Sequence, residues 1–183
     1  DSFTQEDLIP KETAVIMITK DGYIKRISPQ SFKSQGRGGQ GVIGMAHKEE
    51  DIVEHLLSGS THANLLFFTD SGKVFQLKAF EVPDASRTAK GQAVVNFLEL
   101  NHNEKVTAAL ALDEGPSADS TASYKFLVMV TARGVIKKVP LEDFKRVRRS
   151  GLIAIKLKPD DNLQWVKPSA GNEEVMLTTA QGL

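Results

Sequence analysis

The segment 34–42, SQGRGGQGV, places a single arginine among four glycines. A backbone with so few side chains leaves its N–H groups open to an anion, and Arg37 adds a positive charge, so the pattern suits contact with a phosphate. It does not match a P-loop, because Gly41 is followed by Val42 rather than by lysine, and no helical pattern follows as a dinucleotide fingerprint requires. A structural glycine-rich turn is the alternative interpretation.

Basic residues recur at the corresponding place in two later segments, SRTAKGQAV (86–94) and RVRRSGLI (146–153). Each group of cations comes just before a glycine, and Gly41, Gly91 and Gly151 follow a turn glycine by 19, 19 and 17 residues. Cations at equivalent positions of stacked units form a line, which suits the phosphodiester backbone of a nucleic acid. Solvated surface on the rim of the molecule is the alternative interpretation.

The elements that would position these cations repeat along the chain. Four segments share an apolar run, a threonine, two variable residues and a glycine: VIMITKDG (15–22), LLFFTDSG (65–72), FLVMVTARG (126–134) and VMLTTAQG (175–182). The interval between the second and third glycines is longer and contains the polar segment 113–123. The pattern predicts repeat units over residues 13–62, 63–123 and 124–172, and the start of another over 173–183.

Each unit begins with a predicted β-hairpin, in which two apolar runs flank a turn whose glycine adopts positive φ. The runs are apolar on nearly every residue, so both faces should be covered; Ile24 and Ile27 have opposite parity, which indicates a bulge or two-sided burial. The tails GVIGMA, AVVNFLEL and LIAIKLKPDD predict a further strand each, and VEHLLSGS (53–60) predicts another. The sequence therefore predicts an all-β, propeller-like array of four-stranded antiparallel blades, about three blades plus the start of a fourth.

The composition is that of an ordinary globular protein, with 183 residues, 40% of them hydrophobic, and 23 basic residues balanced by 23 acidic ones. Zero net charge argues against a uniformly basic surface, but the segment 133–149 is strongly basic, so charge is segregated. The chain has no cysteine, which excludes disulfides and thiolate metal sites and is compatible with a reducing compartment. No apolar run reaches membrane-spanning length, and the ends of the sequence suggest a piece of a larger protein.

No catalytic centre is predicted. The four histidines lack metal-ligand spacing, and the segment 58–62 contains serine and histidine without a nucleophile elbow. The acidic segments 49–51 and 160–161 are interpreted as turns, because paired-carboxylate catalysis would need a pocket that the sequence does not reveal. Trp165 is expected in the core rather than as a platform for stacking bases.

With these motifs in hand, the chain resembles the C-terminal domains of the A subunits of bacterial DNA gyrase. The segment 35–41, QGRGGQG, is similar to the box of that family, Gln-Arg/Lys-Arg-Gly-Gly-Lys/Arg-Gly. The resemblance covers essentially the whole chain. Further matching segments are DIVEHLLS (51–58), LFFT (66–69), GKV (72–74) and RTAKG (87–91).

The resemblance implies a β-pinwheel over residues 1–183, in which neighbouring blades exchange a strand. It implies binding of double-stranded DNA without sequence preference and wrapping with positive handedness, which supports negative supercoiling by an ATP-dependent type II topoisomerase. The fragment itself would be non-catalytic and without cofactor, ATP and Mg²⁺ being used by the parent complex. Implied partners are the gyrase B subunit together with the N-terminal region of the chain's own parent polypeptide, with no membrane, in the bacterial cytoplasm at the nucleoid.

The sequence departs from the family box at Gly36 and Gln40, where cations are usual, so DNA binding at this blade should be weaker and less dependent on salt. Three alternatives are a topoisomerase IV A-subunit domain, a propeller-like protein-interaction scaffold and a nucleotide-handling enzyme. The predicted DNA-binding residues are Lys25, Arg26, Lys33, Gln35, Arg37, Gly38, Gly39, Gly41, Lys73, Arg87, Lys90, Lys137, Lys138, Arg146, Arg148 and Arg149.

Overall fold

The computed structural model describes residues 5–29, 51–112 and 124–180, and the strands in these ranges are all antiparallel within their sheets. Among the described residues the only helices are short 3-10 turns, so the prediction of an all-β protein is confirmed. The strands are β1 (Thr13–Thr19), β2 (Tyr23–Ile27), β3 (Val53–Ser60), β4 (Asn64–Thr69), β5 (Lys73–Lys78), β6 (Gln92–Ala93), β7 (Val106–Leu112), β8 (Phe126–Thr131), β9 (Ile136–Pro140), β10 (Leu152–Ile153) and β11 (Leu163–Ser169). The 3-10 turns are Gln5–Leu8, Ala79–Glu81, Val94–Asn96 and Leu141–Phe144.

The strands form three sheets. The first has the order β3-β1-β2-β6, the second β10-β5-β4-β7 and the third β11-β8-β9. Each sheet is built on one predicted hairpin, β1–β2, β4–β5 or β8–β9, paired in regular register. An outer strand, β3, β7 or β11, follows on the far side of the first strand of the hairpin. The repeat read from the sequence is therefore a repeat of sheets.

The three hairpin turns have the same geometry. Gly22, Gly72 and Gly134 have φ of 83°, 82° and 78°. Each glycine N–H donates to the carbonyl of the threonine that ends the preceding strand, at 3.0 Å in all three turns. Positive φ is adopted without penalty only by glycine, which explains why the turn keeps its glycine while the residues beside it vary.

Successive sheets exchange a strand. The two residues of β6 belong to the second unit but pair with β2 of the first sheet, and β10 of the third unit pairs with β5 of the second. Each exchanged strand begins directly after a glycine of positive φ, Gly91 at 86° or Gly151 at 84°. The strand exchange implied by the family resemblance is therefore confirmed at both described junctions.

The cores lie between successive sheets, which explains why the hairpin strands are apolar on both faces. Ile16 and Ile18 of the first sheet pack with Leu65 and Phe67 of the second, all at most 2% exposed. The alternate residues of β4, Leu66 and Phe68, pack with Leu127, Met129 and other residues of the third sheet. A central strand covered on both sides has no polar face, so alternation is lost. Ile24 and Ile27 are likewise fully buried.

Three expectations need correction. Each predicted tail strand is much shorter than expected. The tail 93–100 contributes only Ala93, to β6, and the tail 152–161 contributes only the two residues of β10; both tails then leave the sheet. The outer strands β7 and β11 were not predicted, whereas β3 was and is confirmed. Trp165 was expected in the core but is 55% exposed, because β11 is the outer strand of the third sheet and this side chain projects from its open face.

Candidate nucleic-acid interface

Two loops at equivalent places carry five of the predicted cations, all of them exposed. The 86–90 loop precedes Gly91 and β6 beside the first sheet, and the 145–150 loop precedes Gly151 and β10 beside the second. Both loops end in a tight turn, with Gly151 N donating to Arg148 O at 2.9 Å and Ala89 N donating to Ser86 O at 3.1 Å. The exposed predicted residues in these two basic loops are Arg87, Lys90, Arg146, Arg148 and Arg149.

The first basic loop is held by a buried lysine. Lys25, on β2, is 8% exposed. Its Nζ donates to the carbonyl oxygens of Ala89 at 2.7 Å, Arg87 at 2.8 Å and Ser86 at 3.5 Å. An ammonium has three protons to donate, and three backbone carbonyls of the loop lie within reach of this one. Its charge is thus directed inward, towards the loop backbone.

Further contacts tie β2 to the second unit. Arg26 Nε donates to Val82 O at 3.0 Å, and the Arg26 backbone pairs with the 83–85 segment. Lys90 Nζ lies 4.0 Å from the centroid of the Tyr23 ring, which is a cation–π distance. Lys90 is exposed, so its ammonium contacts the ring on one side and remains open to solvent on the other.

The second basic loop is held by different groups. Gln76, on β5, donates from Nε2 to Phe144 O at 3.3 Å and to Lys145 O at 3.4 Å, and its Oε1 accepts from Val147 N at 3.2 Å. Beside it, Phe75 is 1% exposed and lies against Gly151, where a Cβ would come within 2.9 Å of the ring. An amide and an aromatic ring here replace the cations of the first junction.

The remaining predicted cations on strands are exposed or half-exposed. Lys137, on β9, is equivalent to Lys25 and donates to Ala154 O at 3.0 Å. Lys138 Nζ lies 4.8 Å from the centroid of the Phe126 ring, and Lys73 is the first residue of β5. Contact with phosphate stays a prediction at each of these positions. Lys33, Gln35, Arg37, Gly38, Gly39 and Gly41 lie outside the described residues.

Sequence reasoning missed one recurring contact at the hairpin turns. In the second sheet, Thr69 Oγ1 donates to Glu104 Oε1 at 2.6 Å, and the Ser71 hydroxyl donates to the same oxygen. Burial alone would raise the pKa of Glu104, but hydrogen bonds from Ser71, Thr69 and the Asn101 N–H outweigh it and lower the pKa below its usual value. The signal was present in the sequence as an acidic residue shortly before each outer strand.

The other two sheets have the same arrangement. Asp51 accepts from Asp21 N at 3.1 Å and is hydrogen-bonded to Thr19. Asp161 accepts from Arg133 N at 3.0 Å and is hydrogen-bonded to Thr131. Burial opposes ionisation at both, yet these hydrogen bonds leave the pKa of both carboxyls lowered. The acidic turns are thus structural clamps between each hairpin and its outer strand.

Within the described ranges, no group of three potential ligands is placed to hold a metal ion. His62 Nε2 lies 2.7 Å from Ile9 O and His55 Nε2 lies 3.4 Å from Val106 O, so both rings bind backbone. No helix of the described chain is long and apolar enough to cross a membrane.

The comparisons with known proteins agree with this architecture. A family model described as DNA gyrase C-terminal domain, beta-propeller, matches residues 13–59, 63–113 and 125–170. The chain is 45% identical over 178 residues to the DNA gyrase A subunit of Clostridium acetobutylicum, covering 97% of the chain and 21% of the relative. It is 39% identical over 183 residues to the DNA gyrase A subunit of Halalkalibacterium halodurans, covering 100% and 21%. The chain spans about a fifth of the length of these relatives.

Solved structures show the same fold. The C-terminal domain of DNA topoisomerase IV matches with a TM-score of 0.69 at 29% identity, covering 90% of this chain and 48% of that one. The DNA gyrase A C-terminal domain matches with a TM-score of 0.57 at 28% identity, covering 86% and 48%. From its three matched repeats and its relatives, the chain belongs to the family of DNA gyrase C-terminal domains.

Proposed function

We propose that this chain binds double-stranded DNA without sequence preference and bends it around the rim that carries the basic loops. The observation that supports this most directly is the recurrence of exposed cations at both described junctions, Arg87 and Lys90 in the first loop and Arg146, Arg148 and Arg149 in the second. Because the loops occupy equivalent places on successive sheets, their cations repeat along one edge of the array. A repeating row of charges matches the repeating charge of a duplex.

Local charge is what matters for this function. The net charge of the chain is zero, so its whole surface does not attract DNA. The two basic loops place Arg87, Lys90, Arg146, Arg148 and Arg149 at the surface, where they can act on phosphates. Contacts to phosphate fix position without reading sequence.

In the parent protein, this domain would present a wrapped DNA segment to a type II topoisomerase core. We infer that the core comprises the N-terminal region of the same polypeptide together with the gyrase B subunit, and that ATP and Mg²⁺ are used there. The proposed setting is the bacterial cytoplasm at the nucleoid. The chain supplies binding and bending, and no chemical step is assigned to it.

Chiral wrapping is tested with a relaxed plasmid, a nicking-closing enzyme and stoichiometric amounts of the chain, followed by two-dimensional gels after protein removal. A positive shift in linking number is expected. Arg37→Ala should reduce the shift if the glycine box contacts DNA, and Arg148→Ala should reduce it if the second basic loop does. The control is Lys158→Met, which removes an exposed cation outside the basic loops.

Salt dependence separates the alternatives. Each lost phosphate contact should lower the slope of log K against log salt by about 0.9. Salt-sensitive binding without a linking-number shift would favour a domain of the topoisomerase IV type, with which the fold also agrees. Binding that is absent or insensitive to salt would overturn the proposal and favour a protein-interaction scaffold.

A further inference from the structure

We propose that Lys25 and Gln76 are positioning residues, which hold the two basic loops in the shape that presents their cations to DNA. Neither side chain contacts phosphate in this proposal. The inference rests on the proposed DNA binding and assigns to it residues that act from the neighbouring unit. Lys25 would act on the loop of Arg87 and Lys90, and Gln76 on the loop of Arg146 and Arg148.

The geometry of Lys25 separates it from the other cations. The side chain is 8% exposed, whereas Arg87 and Lys90 are exposed. Its three nearest acceptors are carbonyls of residues 86, 87 and 89, so it replaces the hydrogen bonds that a loop backbone would otherwise make to water. A phosphate contact would require this ammonium to give up those bonds. The arrangement fits a capping role and leaves the outward charge to Arg87 and Lys90.

Gln76 does the same with an uncharged group. Its amide donates to two carbonyls, of Phe144 and Lys145, and accepts from the Val147 N–H, so one side chain closes the backbone on both sides of Arg146. Arg146 itself stays exposed. Lys25 and Gln76 stand on neighbouring positions of the equivalent strands β2 and β5.

The physical reason for such holding is entropy. The 86–90 and 145–150 loops have no strand pairing of their own in the described structure. When a ligand orders a flexible residue at the moment of binding, the lost conformational entropy subtracts from the affinity. A loop ordered in advance by a neighbouring strand meets this cost during folding, so its cations bind more tightly with no new contact to DNA.

A double-mutant cycle on DNA affinity tests the assignment in the 183-residue chain. Lys25→Met should weaken binding about threefold to tenfold in the wild-type background and have little effect when Arg87→Ala and Lys90→Ala are already present. The losses of affinity caused by Lys25→Met and by Arg148→Ala, which lies at the other junction, should add. Gln76→Met should show the reverse pairing, coupling to Arg146→Ala and not to Arg87→Ala.

The pattern of coupling decides the result. The proposal would be overturned if the loss of affinity in Lys25→Met added fully to that of Arg87→Ala and Lys90→Ala and the salt slope fell by a further increment of about 0.9. Such a result would mean that Lys25 contacts a phosphate directly. Equal coupling to both junctions would also overturn it, because general destabilisation does not choose a loop. Lys25→Arg keeps a donor at this position and is expected to restore part of the affinity.

A measurement without DNA keeps this proposal separate from the proposed function. Amide hydrogen exchange should become faster in residues 86–90 for Lys25→Met and at Val147 for Gln76→Met, with the opposite loop unchanged. Acylation of the free protein should modify Lys90 and spare Lys25. Unchanged exchange or a reactive Lys25 would overturn the holding role, whereas absent DNA binding with these results intact would overturn only the proposed function.

Discussion

The two described junctions between sheets have the same backbone and different side-chain chemistry. At both, a two-residue strand of the next unit pairs with the second hairpin strand and begins after a glycine of positive φ. At the first junction the facing side chain is Lys25, bound to three carbonyls; at the second the equivalent residue is Phe75, packed on Gly151. Strand exchange is therefore independent of whether the junction is polar or apolar.

The difference shows which features the exchange requires. The glycine and the pairing of the exchanged strand are common to both junctions, so they are the constraint. The residue that faces them can be a buried ammonium where backbone carbonyls converge to accept its hydrogen bonds. Where no carbonyls converge, an aromatic ring fills the space instead and leaves no polar group unpaired. Substitutions at the two junctions should therefore differ in size and in cause.

The largest effect is expected from Phe75→Ala. The side chain is 1% exposed in the core between the first two sheets, and its loss leaves a cavity next to Gly151, so the free energy of unfolding should fall by about 3–5 kcal/mol. Lys25→Met removes hydrogen bonds to a loop whose residues 86 and 87 are exposed, so the free energy of unfolding should fall by only about 1 kcal/mol. Urea unfolding followed by circular dichroism measures both. Equal losses would contradict the contrast between the two junctions.

A slightly smaller effect is expected from alanine at the exchange glycines. A Cβ on Gly91 would lie 2.5 Å from Ile24 O at φ of 86°, so both strain and a backbone clash arise and about 3 kcal/mol should be lost. At Gly151 the obstacle at 2.9 Å is a side chain, the Phe75 ring, rather than backbone, so overpacking of the core should lower the free energy of unfolding by about 2 kcal/mol. Thermal unfolding compares the two.

Gly134→Ala is the matched control for those two variants. Its φ is 78°, but a Cβ there would meet nothing within 4 Å. Only the cost of positive φ remains, about 1 kcal/mol. If Gly134→Ala lowered the free energy of unfolding as much as Gly91→Ala, the cost of positive φ, and not the closeness of the exchanged strand, would limit substitution at the junction.

The sequence was sufficient for the features that repeat locally. The hairpins follow from an apolar run, a threonine and a turn glycine, all within about ten residues, and the array follows from their recurrence. The outer strands β7 and β11 escaped because VTAALAL is rich in alanine and LQWVKPS contains a proline, both poor strand signals. The exchanged strands are two residues long, and their partners belong to another unit.

The candidate site divides in the same way. The basic loops were found because cations recur in the sequence at a fixed distance from a glycine. The burial of Lys25 could not be read from YIKRI, because its acceptors lie 61 to 64 residues further along the chain. The same holds for Gln76, whose neutral side chain gave no sign of a role at the interface. Contacts of this length depend on the sheet order, which the repeat pattern does not specify.

Lowering the pH tests the carboxylate contact that all three sheets share at their hairpin turns. The pKa of Asp51, Glu104 and Asp161 is lowered in the folded protein, so their contribution to stability is present above the unfolded pKa of about 4 and is lost as pH falls through the folded values. Stability should begin to decline as pH falls below about 5 and should go on declining below the unfolded pKa of about 4, less steeply in Glu104→Gln. A decline of unchanged steepness in that variant would mean that the clamp of the second sheet does not contribute.

The smallest effect is expected from Tyr23→Leu, which keeps apolar area on β2 and removes the ring beneath Lys90. An exposed cation–π contact contributes about 0.5–1 kcal/mol, so the free energy of unfolding should fall by that amount. The second junction offers the comparison, because Lys73 stands where the first has Tyr23, and no ring is available at that described position. Lys90→Met in the Tyr23→Leu background should then cost nothing further, since the partner is already gone. A full additional loss would mean that Lys90 stabilises the loop through the negative charge of Asp51, and the two junctions would differ by a charge–charge attraction rather than by an aromatic contact.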